Sequence, residues 1–108
     1  MKKVTIRVNE NLKDDFYSLC TKRGVKPTNV ISRYCRYVVK NKKEPMVDMY
    51  NRVLKYVNDN QTRMTIKIDE ELAINFETTC KDLSQTMSSA IRFFMDWCCT
   101  YENLPSNI

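Results

Sequence analysis

Two stretches of the chain alternate apolar and polar residues with a period of two. Val4, Ile6 and Val8 share one face while Lys3, Thr5 and Arg7 take the other, and the pattern returns with Met64, Ile66 and Ile68 against Arg63, Thr65 and Lys67. Such alternation marks a strand with one face buried and one in water. After each strand the period lengthens to that of a helix. Leu12, Phe16 and Leu19 form a stripe over about 10–23, and Leu72, Phe76, Cys80 and Leu83 form another over about 70–83. Asn9 and Asp69 are placed to cap these helices, with acidic residues in the first turns. Gly24 suits the end of the first helix, Pro27 the start of the next, and Thr86 the corresponding cap in the second half. The second helices, over about 27–42 and 86–101, carry apolar pairs every four residues: Val30/Ile31, Tyr34/Cys35, Val38/Val39, and Ala90/Ile91, Phe94/Met95, Cys98/Cys99.

The halves are an internal repeat at an offset of 60 residues without a gap. Thr5/Thr65, Ile6/Ile66, Glu10/Glu70, Leu12/Leu72, Phe16/Phe76, Cys20/Cys80 and Ile31/Ile91 are identical pairs. The organisation is a first unit over 1–43, a linker over 44–61 and a second unit over 62–108. One strand cannot hydrogen-bond itself, and two helices cannot cover its apolar face. The fold expected is therefore mostly α, with the two strands paired into an antiparallel ribbon and four helices enclosing its apolar side. The opposite side, carrying Lys3, Thr5, Arg7, Arg63, Thr65 and Lys67, remains in water.

In the linker, Lys42-Lys43-Glu44-Pro45 breaks the helix, and Met46, Met49, Tyr50, Val53, Leu54 and Val57 mark one face of a further helix ending near Asn58-Asp59-Asn60. Its simplest role is a strap between the units, about 21 Å long for about 14 residues. In the last helix Phe93, Trp97 and Tyr101 add an apolar stripe where the first unit has Arg33, Tyr37 and Asn41. This stripe needs cover, from the linker helix or from a second molecule in self-association.

Charge changes the picture more than bulk composition does. Residues 1–43 hold 12 Lys+Arg against 3 Asp+Glu, a balance of +9, whereas residues 62–108 hold 4 against 7, a balance of −3. A half-molecule so basic attracts polyanions. Five cysteines without a C-x-x-C spacing, and no histidine, argue against a zinc site or a disulfide framework. Cys20, Cys35, Cys80 and Cys98 fall at apolar helical positions and read as small core residues. With no Gly-rich phosphate loop and no Ser/His/Asp or Cys/His set, enzyme chemistry is not expected, nor is a cofactor. No apolar run reaches the length of a membrane span and no leader pattern is seen, so a cytoplasmic location is expected.

The repeated pattern K/R-x-T-I-x-(apolar)-(cap)-E-x-L, followed by helix, turn and helix, resembles the ribbon-helix-helix superfamily of DNA-binding proteins, the group of the Arc, MetJ and CopG repressors. It covers residues 2–40 and 62–101. Most members carry one unit per chain and act as homodimers; the tandem form resembles TraY, a plasmid-transfer relaxosome protein. The resemblance implies an intramolecular pseudo-dimer whose ribbon enters the major groove of double-stranded DNA, with Lys3, Thr5, Arg7, Arg63, Thr65 and Lys67 at base edges. It also implies phosphate contacts at the starts of the second helices, at Lys26, Thr28 and Asn29 and at Thr86, Ser88 and Ser89, with Lys2 beside them. Lys26 stands where a hydroxyl cap is usual, and Pro27 has no N–H to give. Because Lys-Thr-Arg is not Arg-Thr-Lys, an asymmetric recognition element is expected. The implied role is a transcriptional regulator, a repressor of a phage or plasmid. The alternatives are a relaxosome accessory protein, or an antitoxin-like interaction module, although only seven residues follow Tyr101 where antitoxins usually add a long tail. The two units could also each pair with another chain.

Overall fold

The computed structural model describes residues 1–43, 45, 56 and 61–104. Their order is β1 (Lys2–Asn9), α1 (Glu10–Lys22), α2 (Pro27–Asn41), β2 (Gln61–Ile68), α3 (Glu70–Asp82) and α4 (Met87–Tyr101). The protein is mostly helical with a two-stranded antiparallel sheet, as the periodicities require. The helix bounds lie within a residue of those expected. The linker helix expected over residues 46–57 lies outside the described residues, apart from Tyr56. Among the described residues no helix is long and apolar enough to cross a membrane.

The register runs from Lys2 opposite Ile68 to Asn9 opposite Gln61, and it sets Thr5 opposite Thr65. Thr5 and Thr65 are also equivalent in the repeat, so an exchange of the two halves leaves this pair in place. Their hydroxyls hydrogen-bond at 3.0 Å. On the inner face Ile6, Val8, Met64, Ile66 and Ile68 are buried and Val4 is half-buried. The helices that cover this face pack mainly across the halves, α1 on α4 and α2 on α3. Apolar area removed from water, at about 25 cal/mol per Å², is therefore shared mainly between the two halves rather than within either one.

Four aromatic rings fill the centre of the core. Tyr34 stacks on Phe94 with centroids 4.3 Å apart, and these two are repeat equivalents. Phe16 meets Phe94 edge-on at 6.3 Å, and its equivalent Phe76 meets Tyr34 edge-on at 5.9 Å. The one polar atom in this cluster has a partner: the Tyr34 hydroxyl donates to the Ala90 carbonyl at 3.3 Å. Cys20, Cys35, Cys80 and Cys98 are buried core residues as expected, and so is Cys99. Burial pushes the Cys20 thiol up from 9.0 to about 11. Burial raises that of Cys98 as well, with Cys99 and Cys20 adding to the effect.

Asn9 and Asp69 cap α1 and α3 by accepting from the backbone N–H of Leu12 and Leu72, at 3.1 and 3.0 Å. Both helices end in the same turn, in which the amide of Val25 or Gln85 reaches back to the carbonyl of Cys20 or Cys80. That turn needs a left-handed residue. Gly24 supplies it at φ +71°, and Ser84 is held at φ +58° in the equivalent place.

The aromatic stripe of α4 is graded: Phe93 and Trp97 are half-buried and Tyr101 is 59% exposed, with the Trp97 and Tyr101 rings 5.1 Å apart. Tyr56 meets the helix elsewhere. Its hydroxyl donates to Asp15 Oδ2 of α1, and it lines a groove between α1 and α4 together with Cys99, which lies about 200° around α4 from Trp97. Burial, then the bond to Asp15, holds the Tyr56 phenol far above its ordinary range.

Two stability measurements test this packing. Ser84→Gly removes a left-handed penalty of about 1 kcal/mol and raises Tm by roughly 4 °C. Gly24→Ala costs a similar amount, since a Cβ there meets nothing within 4 Å and the loss is conformational only. The second test is alkaline. A thiol ionising at about 11 when folded and at 9.0 when unfolded favours the fold in its protonated form. Its contribution is complete below about pH 9 and is lost as the pH rises towards about 11. Urea titrations across this window show a shallower loss for Cys20→Ala than for the wild type.

Candidate nucleic-acid interface

The outer face of the ribbon is set by strand phase alone. With Ile6, Ile66 and their neighbours turned inward, Lys3, Thr5, Arg7, Arg63, Thr65 and Lys67 must project outward, and all six are exposed. Lys2 is also exposed, but it shares the phase of Val4 and Ile6, so it leaves the ribbon's end towards the helices rather than from the outer face. The register places Lys3 opposite Lys67 and Arg7 opposite Arg63, on either side of the central threonines. Like charges directly opposite each other destabilise a sheet by about 0.2–1 kcal/mol per pair. Among the described residues none of these cations has an ion-pair partner on the protein. The ribbon thus carries four charges uncompensated among the described residues, which an external anion would relieve.

Each end of the ribbon is flanked by the start of a second helix. At the Lys3/Lys67 end, the first turns of α2 and the ribbon enclose a groove of about 620 Å³. Lys26, Asn29, Arg33 and Arg36 line it together with Lys67 and Asp69. Asp69 is engaged elsewhere, because its carboxylate caps α3. At the Arg7/Arg63 end, the Arg92 guanidinium of α4 donates to the Arg7 carbonyl at 3.0 Å, and the Lys13 ammonium donates to the Arg63 carbonyl at 3.4 Å. These two bonds tie the helices to the strands that bear the exposed arginines.

The two helix starts differ chemically. In α4 the Thr86 hydroxyl accepts the Ser89 amide at 3.0 Å, which leaves the N–H groups of Met87 and Ser88 at the helix end. In α2 Lys26 makes no side-chain cap, and Pro27 has no N–H. The absent hydroxyl opens the α2 start rather than weakening it: without a capping side chain, the amides of both Thr28 and Asn29 remain unclaimed by the helix. Thr28, Ser88 and Ser89 are half-buried, and Lys26, Asn29 and Thr86 are exposed.

The expected residues therefore converge on one side of the molecule: six on the ribbon, with the α2 start beside its Lys3/Lys67 end. Sequence reasoning missed four cations, Lys13, Arg33, Arg36 and Arg92. Arg33 and Arg36 had a signal, since they follow Asn29 at helical spacing on the polar face of α2. Arg92 had none, because its repeat equivalent is Ser32. A second groove of about 600 Å³ lies between α1 and α4, lined by Asp15, Lys22, Arg23, Tyr56 and Glu102 among others. Polar groups there bond within the protein, Tyr56 to Asp15 and the Arg23 guanidinium to the Glu102 carbonyl at 2.9 Å. Compared with protein-family models, with curated proteins and with solved structures, the chain finds no match.

Proposed function

We propose that this chain consists of two ribbon-helix-helix units joined into one intramolecular pseudo-dimer that reads double-stranded DNA through the major groove. On this reading it is a sequence-specific regulator of transcription in the cytoplasm, a repressor that occludes a promoter of a phage or plasmid. One observation carries the reading: an antiparallel ribbon, centred on Thr5 and Thr65, presents as its outer face two threonines and four cations that have no ion-pair partner among the described residues.

The dimensions and the chemistry suit this target. A two-stranded ribbon fits the major groove of B-form DNA, where each base pair shows a distinct set of donors and acceptors. Arg and Lys donate to guanine O6 and N7, and a threonine offers its hydroxyl or presents its methyl to a thymine methyl. The deep, narrow major groove of an RNA duplex would not admit the ribbon. Phosphates on the two flanks would meet Lys2 and the starts of α2 and α4, where unpaired amides and the positive end of the helix dipole favour an anion. Such contacts position the ribbon without reading sequence.

Selection of duplex fragments from the source genome, with the wild type and with Arg7→Ala/Lys67→Ala, tests the proposal. The wild type enriches one or a few sites. The variant loses that enrichment by at least roughly 10-fold, since each base contact is worth about 1–3 kcal/mol of discrimination, while its Tm does not fall, because each substitution relieves one like-charge pair. Sites at promoters would support repression, and sites at a transfer origin the relaxosome role. If the wild type enriches no site, the DNA reading fails.

A further inference from the structure

The ribbon has two chemically different ends, a consequence of the register that neither strand reveals alone. Two identical strands crossing at the central threonine would set Lys against Arg at both ends. Here the second repeat reverses the order, Lys3-Thr5-Arg7 against Arg63-Thr65-Lys67. Antiparallel pairing therefore gathers Arg7 with Arg63 at one end and Lys3 with Lys67 at the other. The guanidinium is a rigid planar fork, matched to the paired acceptors O6 and N7 of guanine, whereas the ammonium is a strongly hydrated point charge that a phosphate satisfies equally well.

The flanking helices are sorted in the same sense. The groove beside Lys67 continues along α2 through Lys26, Arg33 and Arg36. Their repeat equivalents on α4 are Thr86, Phe93 and Asp96, two of them uncharged and the third a buried acid. The α4 end has its own cation in Arg92, but that guanidinium is bonded to the Arg7 carbonyl and so braces the strand. Resting on the DNA reading above, we infer that the module binds a directional, non-palindromic site. The Arg7/Arg63 end reads guanine, and the α2 groove at the opposite end grips the phosphate backbone beyond the site through Lys26, Arg33 and Arg36.

This division of labour is tested on duplexes selected from a random pool by the full wild-type chain. The selected site is mapped by interference from N7 methylation of guanine and from phosphate ethylation. Interfering guanines are expected at one end only, and interfering ethylations should run further past the other end. Arg7→Lys/Arg63→Lys keeps the charge but relaxes the preference at the guanine end by about 10-fold or more, leaving the far end as it was. Lys26→Ala/Arg33→Ala/Arg36→Ala weakens selected and unselected duplexes alike and erases the outlying ethylation signals. It also lowers the slope of log K against log salt by about 3, near 0.9 for each phosphate no longer neutralised. A palindromic site with guanine signals at both ends would overturn the inference while leaving ribbon-mediated DNA reading intact, as would outlying ethylation signals that survive the α2 variant. A chain that selects no duplex at all would remove the DNA reading and this inference together.

Discussion

Everything in this structure depends on one strand finding another. An isolated strand leaves a row of N–H and C=O groups unpaired on each edge, and one of eight residues has too little apolar face to nucleate a core. Pairing β1 with β2 satisfies the facing edges and fuses two half-faces into one platform of Ile6, Val8, Met64, Ile66 and Ile68. That platform is broad enough for four helices to rest on. Because the pairing crosses the halves, the helices that follow are delivered across the halves too, and α1 meets α4 while α2 meets α3. The stack of Tyr34 on Phe94 is the corresponding event in the core, since equivalent residues meet there as Thr5 and Thr65 meet on the surface. Neither half has a core of its own to retreat to.

Much of this was legible in the residues. Period-two alternation gave the strand phase, and phase alone determines that Lys3, Thr5 and Arg7 face water when Ile6 faces inward. The caps at Asn9, Asp69 and Thr86 could be read because each precedes the first apolar position of its helix by the usual spacing. The repeat added what no single segment could, since Thr5 and Thr65 are equivalent and an antiparallel ribbon of equivalent strands crosses at equivalent residues.

What was not legible depended on register and on side chains that reach across elements. That Arg7 faces Arg63 follows only from knowing which residues lie opposite, and a slip of two residues in either direction would have set a threonine opposite a cation instead. Arg92 and Lys13 bond to ribbon carbonyls from other elements, and nothing in their local spacing announces those partners. The groove along α2 is a milder case: Asn29, Arg33 and Arg36 keep helical spacing, but that the ribbon's Lys67 closes a groove with them is set by tertiary packing. Ser84 is the complementary case. Its equivalence to Gly24 is visible in the repeat, but its left-handed backbone is evident only where the amide of Gln85 closes on Cys80.

Symmetry explains why the duplicated chain is free to differ where it does. In a homodimer any change on one ribbon strand appears on both, so each end must serve the same purpose. Joining the units in one chain lifts that constraint while the packing still requires matched aromatic residues at the centre. The pattern of divergence follows this distinction. Phe16/Phe76, Cys20/Cys80 and Ile31/Ile91 remain identical because each fills equivalent space in a shared core. Lys3/Arg63, Arg7/Lys67, Arg33/Phe93 and Arg36/Asp96 have diverged at positions that the core does not constrain in the same way. The ribbon substitutions preserve charge and change only its shape, whereas those on α2 and α4 change charge outright. The cost of setting like charges opposite each other at both ends of the ribbon is carried by the burial beneath it, so the fold leaves the outer face free to vary.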